Sequence, residues 1–168
     1  VNEVAWHAGT PALFIGLHAR AAGGRIAWTM PPSSSCYRCI APERFEAHAR
    51  EGQGATDLDG ATGLLPDIQL VDAVALKVGL AIIERGRSES TAGRLFQRIA
   101  PYSEAVVRCH PEYEWGGALW DAILGDLPTQ PRDYGAAIRE HLVAADTVWL
   151  RGERDLACPV CGTPTEGA

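Results

Sequence analysis

The chain has 168 residues, of which 46% are hydrophobic, and this size predicts a single domain with enough apolar side chains for a core. Its net charge of −6 and pI near 5.3 argue against a nucleic-acid partner, because such a surface needs a basic face. Lys77 is the only lysine, so no Gly-Lys-Ser/Thr phosphate loop is present, and no Gly-x-Gly-x-x-Gly occurs either.

No segment reads as a signal peptide or a membrane span. Residues 1–20 lack a basic start and carry two histidines among the apolar positions. The longest apolar stretch, residues 68–83, is interrupted by Asp72 and Lys77. We therefore expect a cytoplasmic protein with no membrane partner, unless a leader precedes this sequence.

The first part of the chain predicts a helix followed by two strands. Residues 2–8 are typical of a helix that ends at Gly9. The continuous apolar run 12–17 predicts a buried strand. After the turn at Gly23-Gly24, residues 25–30 alternate in polarity, as a half-buried strand does.

A loop rich in proline and serine, residues 31–35, leads to the motif Cys36-Tyr37-Arg38-Cys39. Residues 41–50 predict a short polar helix. Residues 51–63 contain four glycines, which indicates either a functional loop or a plain surface connection.

Residues 66–85 give the strongest helix signal. Pro66 suits a first helical turn, Asp67 favours the positive end of the helix, and Gly86 suits its stop. Apolar residues occur nearly all round this helix, so we expect it in the core or at an interface.

Residues 87–146 are less regular because several prolines and a Gly-Gly pair interrupt them. Residues 92–100 and 136–145 predict helices, and residues 147–151 predict a strand that leads to Cys158-Pro159-Val160-Cys161-Gly162.

The two Cys-x-x-Cys pairs near opposite ends of the chain predict a shared metal site. Cys36, Cys39, Cys158 and Cys161 supply four thiolates, which suit a tetrahedral zinc ion. Two isolated pairs, or two disulfides in a secreted protein, are the alternatives. The fifth cysteine, Cys109, precedes a histidine and is a weak candidate nucleophile, although a buried cysteine without a role explains it better.

The order of these features resembles the C-terminal half of the ThiF/MoeB and ubiquitin-activating superfamily. The matching parts are residues 11–16, 24–40, 63–86 and 149–162, and Asn2 is similar to an asparagine of the family. The resemblance covers most of the chain but is loose over residues 87–146.

The resemblance implies an α/β fold, namely the C-terminal portion of a doubly wound, Rossmann-like domain with a mixed sheet and a structural four-cysteine zinc site. Its parts would be strands with the first cysteine pair (1–40), a crossover-type loop (41–65), a core helix (66–86), a variable helical segment (87–146) and a strand with the second cysteine pair (147–168).

The resemblance also implies a function. Enzymes of this superfamily use ATP and magnesium to adenylate the C-terminus of a ubiquitin-like or sulfur-carrier protein, and they are commonly homodimers. The residues of their ATP site are absent here, so the chain alone should be inactive. Residues 40–108 contain no cysteine, and Thr56 and Thr62 are much weaker nucleophiles, so a loop thioester is not expected.

Two alternatives belong to other functional classes. One is a zinc-stabilised binding or scaffold module that recruits a ubiquitin-like partner or a second subunit. The other is a thiol–disulfide oxidoreductase, which is disfavoured because both cysteine pairs lie in predicted loops rather than at a helix N-terminus. Since a half-domain leaves a sheet edge and an apolar helix face uncovered, we also expect self-association.

Overall fold

A computed structural model describes residues 1–51, 62–109 and 146–162. These residues form a four-stranded sheet with helices on both faces. The helices are α1 (Asn2–His7), α2 (Tyr37–Ile40), α3 (Pro42–Glu51), α4 (Leu65–Ile83) and α5 (Thr91–Ile99), and the strands are β1 (Ala12–Leu17), β2 (Gly23–Thr29), β3 (Glu104–Arg108) and β4 (Asp146–Leu150).

The sheet has the order β1-β2-β3-β4, and each neighbouring pair is antiparallel. A tight link joins β1 to β2, and Arg20 and Ala21 in it have φ angles of 60° and 54°. β2 and β4 both run antiparallel to β3, so these two strands point the same way and end at the same edge of the sheet.

One face of the sheet packs against α4 and α5. Ile26 and Trp28 of β2 lie fully buried in the same core as Val71 and Val78 of α4. Gly24 allows α4 to come close, because a Cβ at this position would lie 2.5 Å from Cγ1 of Val71. This interface forms the main hydrophobic core of the described residues.

The opposite face is covered by α2 and α3. The ring of Tyr37 stacks on Phe14 of β1 with centroids 4.1 Å apart, and Phe45 of α3 meets Tyr37 edge to face at 6.0 Å. Alternation along β2 turns Arg25 to this side, where it forms a buried ion pair with Glu104 of β3. The first cysteine pair therefore lies on the sheet face that carries buried charge.

Most of the elements expected from the sequence are confirmed, with small shifts of their ends. α1, β1, α3, α4, α5 and β4 lie within two residues of the predicted bounds, and β2 starts two residues early. The predicted burial of the first two strands is wrong: β1, expected to be buried, is partly exposed along its length, whereas β2, expected to be half-buried, is buried throughout. The predicted helix over residues 136–145 and the glycine-rich segment 52–61 fall outside the described residues.

Two expectations about the sheet differ from the structure. The segment 104–108 was not predicted as a strand, yet it is β3, at the centre of the sheet. The expected mixed sheet is wrong for the described residues, since every pairing there is antiparallel. The link between β1 and β2 is too short for the crossover that parallel neighbours require, about a dozen residues.

Within the described ranges, no helix combines the length and apolar character needed to cross a membrane.

Candidate metal centre

The first cysteine pair lies at the N-terminus of the short helix α2, not in a loop as the sequence predicts, so its position no longer argues against a thiol–disulfide oxidoreductase. Cys36 is the residue before the helix, and its carbonyl oxygen accepts from the amides of Cys39 at 3.0 Å and Ile40 at 3.1 Å. This single helical turn sets the two Sγ atoms on the same side, with Sγ of Cys36 and Cys39 separated by 3.9 Å.

The second pair lies in a tight turn near the C-terminal end. The amide of Cys158 donates to the carbonyl of Asp155 at 3.1 Å, and the amide of Gly162 donates to the carbonyl of Cys158 at 2.8 Å. Any side chain at Gly162 would collide with this turn, since its Cβ would lie 2.5 Å from the carbonyl oxygens of Cys158 and Leu156.

Sheet topology brings the two pairs together. β2 and β4 end at the same edge, on either side of Ser103, the residue that precedes β3. The Trp28 amide donates to the Ser103 carbonyl at 2.9 Å, and the Ser103 amide donates to the Leu150 carbonyl at 3.0 Å. The chain segments that follow β2 and β4 therefore leave the sheet side by side, and each leads to a cysteine pair.

The four sulfur atoms form one compact cluster. Sγ of Cys36 lies 3.6 Å from Sγ of Cys158, Sγ of Cys39 lies 3.4 Å from Sγ of Cys161, and all four lie within 4.8 Å of one another. A zinc ion with Zn–S bonds of about 2.3 Å requires tetrahedral S–S separations of about 3.8 Å. The observed separations fit this requirement, and all four residues are free thiols.

Burial and backbone amides act in opposite directions on these thiols. Burial raises the pKa of Cys36 and Cys39 above the ordinary value, although the backbone amides of Cys39 and Asp155 oppose this rise. Burial also opposes the ionisation of Cys158, but hydrogen bonds from the backbone of Cys161 and Val160 and from neighbouring thiols lower its pKa to about 7. Without a cation, the cluster therefore does not carry four thiolates, whereas a bound metal ion would stabilise them together.

Hydrogen bonds to Gly152 connect both cysteine pairs to the sheet. The hydroxyl of Ser35, next to Cys36, donates to the Gly152 carbonyl at 2.8 Å. The Gly152 amide in turn donates to the hydroxyl of Ser103 at 2.6 Å. One backbone unit in the segment after β4 thus fixes the position of the segment before α2.

Two arginines and one asparagine hold the ends of the cysteine segments. Nη2 of Arg25 donates to the carbonyl of Ile40 at 2.7 Å, and Asn2 accepts from the amide of Tyr37 at 3.0 Å. Arg154 donates to the carbonyl of Cys161, and its guanidinium lies 5.7 Å from the ring centroid of Trp6. Apart from Asn2, which the family resemblance includes, the sequence pattern does not reveal these supports, because each arginine acts on a backbone carbonyl or an aromatic ring.

The remaining thiol is separate from this cluster. Cys109 belongs to the main hydrophobic core, where Sγ donates to the carbonyl of Asp67 at 3.5 Å. Burial, with a smaller contribution from the Asp67 carboxylate, raises its pKa to about 11. A neutral, buried thiol is a poor nucleophile, so its surroundings favour a structural role.

A cavity of about 360 Å³ lies beside the cysteine cluster. Its walls combine one cation, two carboxylates, apolar rings and two of the sulfur-bearing residues. They are formed by Arg38, Cys39, Pro42, Phe45, Glu46, Asp155, Cys158 and Pro159.

Comparison with protein-family models, curated proteins and solved structures finds no match for this chain. The functional interpretation therefore depends on the sequence motifs and on the geometry of the cysteine cluster.

Proposed function

We propose that this chain is the zinc-binding C-terminal portion of an ATP-dependent adenylyltransferase of the ThiF/MoeB type. The observation that carries the proposal is the convergence of two Cys-x-x-Cys pairs from opposite ends of the chain on one edge of an α/β sheet. The resemblance in the order of motifs is the second support.

Zinc is the metal that this donor set favours. Four thiolates in tetrahedral separation make a closed site, which leaves no coordination position for a substrate. Cys36 and Cys39 would supply one half of the ligands, and Cys158 and Cys161 the other. The ion would supply structural stability by linking the segments that follow β2 and β4.

The parent enzyme would activate the C-terminus of a ubiquitin-like or sulfur-carrier protein with ATP and magnesium. Neither a phosphate-binding loop nor a glycine-rich dinucleotide motif occurs in the 168 residues, so these groups would bind elsewhere in the parent. We place the parent in the cytoplasm, where thiols stay reduced and available to a metal ion.

The open edge of the sheet supports a larger parent domain. Among residues 1–51, 62–109 and 146–162, β1 pairs with a strand on one side only, and its residues Ile15 and Leu17 are 50% and 44% exposed. An edge strand with exposed apolar residues is an aggregation hazard unless another element covers it. We propose that the nucleotide-binding part of the parent covers this edge.

The apolar face of α4 supports a protein partner. Leu76, Leu80 and Ile83 lie one helical turn apart and are 65%, 46% and 72% exposed. A contiguous stripe of large apolar side chains marks an interaction surface. We propose that the parent forms a homodimer through this face. The alternative function is a zinc-stabilised module that recruits a second subunit or a ubiquitin-like protein, and this module would use the same face.

Pyrophosphate exchange distinguishes the two functions. Residues 1–168 and the full-length product of the gene, which the first function requires to be longer, are each assayed with ATP, magnesium and a carrier protein that ends in glycine. We expect exchange only with the longer protein. Exchange by residues 1–168 alone would contradict the absence of a nucleotide site, and no exchange by either protein would favour the scaffold module.

A further inference from the structure

The four thiols of the metal centre differ in their access to solvent. Cys36, Cys158 and Cys161 are 0%, 6% and 1% exposed, whereas Cys39 is only partly buried. Cys39 therefore has the largest exposed fraction of the four ligand residues, followed by Cys158 at 6%.

The cavity beside the cluster provides the route to this thiol. Cys39 forms part of its wall together with Arg38 on α2 and Phe45 on α3, and Cys158, which is less exposed, lines it as well. The volume of about 360 Å³ is large compared with a molecule of hydrogen peroxide, since one water occupies about 30 Å³ of the liquid. A peroxide can thus meet Sγ of Cys39 without unfolding of the chain.

A second thiol lies in position to complete the reaction. Sγ of Cys161 is 3.4 Å from Sγ of Cys39. This separation is shorter than the 3.6 Å between Cys36 and Cys158 and the 3.9 Å between Cys36 and Cys39. These two residues belong to different cysteine pairs, so a bond between them would join the two halves of the ligand set. Cys161 has almost no exposed surface, which leaves it protected until Cys39 reacts.

We infer that Cys39 is an oxidation site through which peroxide releases the metal ion. While it binds the metal ion, Cys39 is a thiolate; its sulfur attacks one peroxide oxygen, the O–O bond breaks, and a sulfenic acid and hydroxide form. The Cys161 thiolate then attacks this sulfur, an S–S bond forms as the S–O bond breaks, and a second hydroxide leaves; both hydroxide ions take up protons from the solvent. Two thiolates lose two electrons in total, and the peroxide is reduced to two molecules of water.

This oxidation removes two of the four ligands, so zinc leaves the site. The hydrogen bonds of Ser35 and Ser103 to Gly152 involve no sulfur and remain in place. The new bond also joins the same chain segments that the ion had joined. Oxidation therefore exchanges a metal link for a covalent link, and a dithiol reductant reverses the exchange. The inference depends on metal occupancy and not on the adenylation proposal.

The experiment uses zinc-loaded protein carrying Cys109→Ser, which removes the fifth thiol as a competing site of oxidation. Hydrogen peroxide is added in steps, released zinc is followed with a chromogenic chelator, and disulfides are mapped by mass spectrometry of unreduced peptides. We expect one zinc per chain to be released as the Cys39–Cys161 disulfide forms, with the near-UV circular dichroism of the core retained. Reduction should restore zinc binding.

Two aromatic variants test the route of access. Phe45→Trp adds bulk at the wall of the cavity and should slow zinc release several-fold. Tyr102→Trp adds similar bulk at a separate cavity of about 210 Å³ and should leave the rate unchanged. Four results would overturn the inference. The chain fails to hold zinc, zinc is released only after the core unfolds, the first disulfide joins Cys36 to Cys158, or the two variants have equal effects on the rate of release.

Discussion

The buried ion pair between Arg25 and Glu104 makes a quantitative prediction. Their side chains are 9% and 7% exposed, and Nη2 of Arg25 donates both to Glu104 and to the carbonyl of Ile40. Glu104→Gln keeps the shape of the side chain but removes the carboxylate charge that lies beside the guanidinium. Breaking a buried pair in this way costs about 3–5 kcal/mol, and the remaining amide contact places the expected loss near 3 kcal/mol.

Urea unfolding of the zinc-loaded protein measures this loss. With a denaturant slope of about 1–3 kcal/mol per molar urea, the midpoint should fall by roughly 1–3 M. The matched control is Glu84→Gln, which removes an exposed pair with Arg87, whose side chain is 69% exposed. Such a surface pair contributes only about 0–1 kcal/mol. Similar losses for the two variants would refute the reasoning.

The double variant Arg25→Met with Glu104→Leu separates stability from metal binding. Replacing both charges with apolar groups of similar size is often neutral for folding. The Ile40 carbonyl, however, loses the donor that holds the end of α2 beside Cys39. We therefore expect near-normal unfolding free energy together with weaker zinc binding in a chelator competition; unchanged zinc affinity would show that Arg25 does not position the first cysteine pair.

Three further predictions concern the core and the titrating groups. Gly24→Ala should lower the free energy of unfolding by about 1–3 kcal/mol, because the added Cβ lies 2.5 Å from Val71; a thermal melt equal to that of the unmodified chain would contradict this. Burial, and then the charges of Arg44 and Arg25, lower the pKa of His18 to about 4. Because the unfolded chain binds a proton at this histidine more readily, the free energy of unfolding should be fully present above pH 6.5 and should decline as the pH falls towards 4. An NMR titration that places this histidine near 6.5 would be inconsistent with the structure. Cys109, with its pKa raised to about 11, should react slowly with iodoacetamide at pH 8 in the folded protein and faster at each higher pH; rapid labelling at pH 8 would refute its burial.

The sequence predicts the elements whose signals are local. Pro66 in the first turn and an apolar run identify α4, and the continuous apolar residues 12–17 identify β1. β3 has no such signal, since Glu104 and Arg108 at its two ends are charged residues that the fold buries. Only their neighbours in the assembled sheet explain why these charges are tolerated.

The cysteine spacing predicts two ligand pairs but does not predict how they meet. Their convergence depends on the parallel directions of β2 and β4, which in turn depend on the central strand β3 that the sequence pattern hides. The supports at Gly152 and Arg154 are equally hidden, because they act through backbone atoms, which the pattern of side chains does not show. The mixed sheet expected from the family resemblance is not found in the described residues, where every pairing is antiparallel and the β1–β2 link is too short for a parallel crossover.

The metal content of the purified chain and its cysteine variants tests the central claim most directly. Elemental analysis should find one zinc per chain in the unmodified protein and in Cys109→Ser, and little or none in Cys36→Ser or Cys158→Ser, which each remove a ligand from a different pair. A chain without zinc, or one that keeps its zinc after Cys158→Ser, would contradict a single site shared by both cysteine pairs.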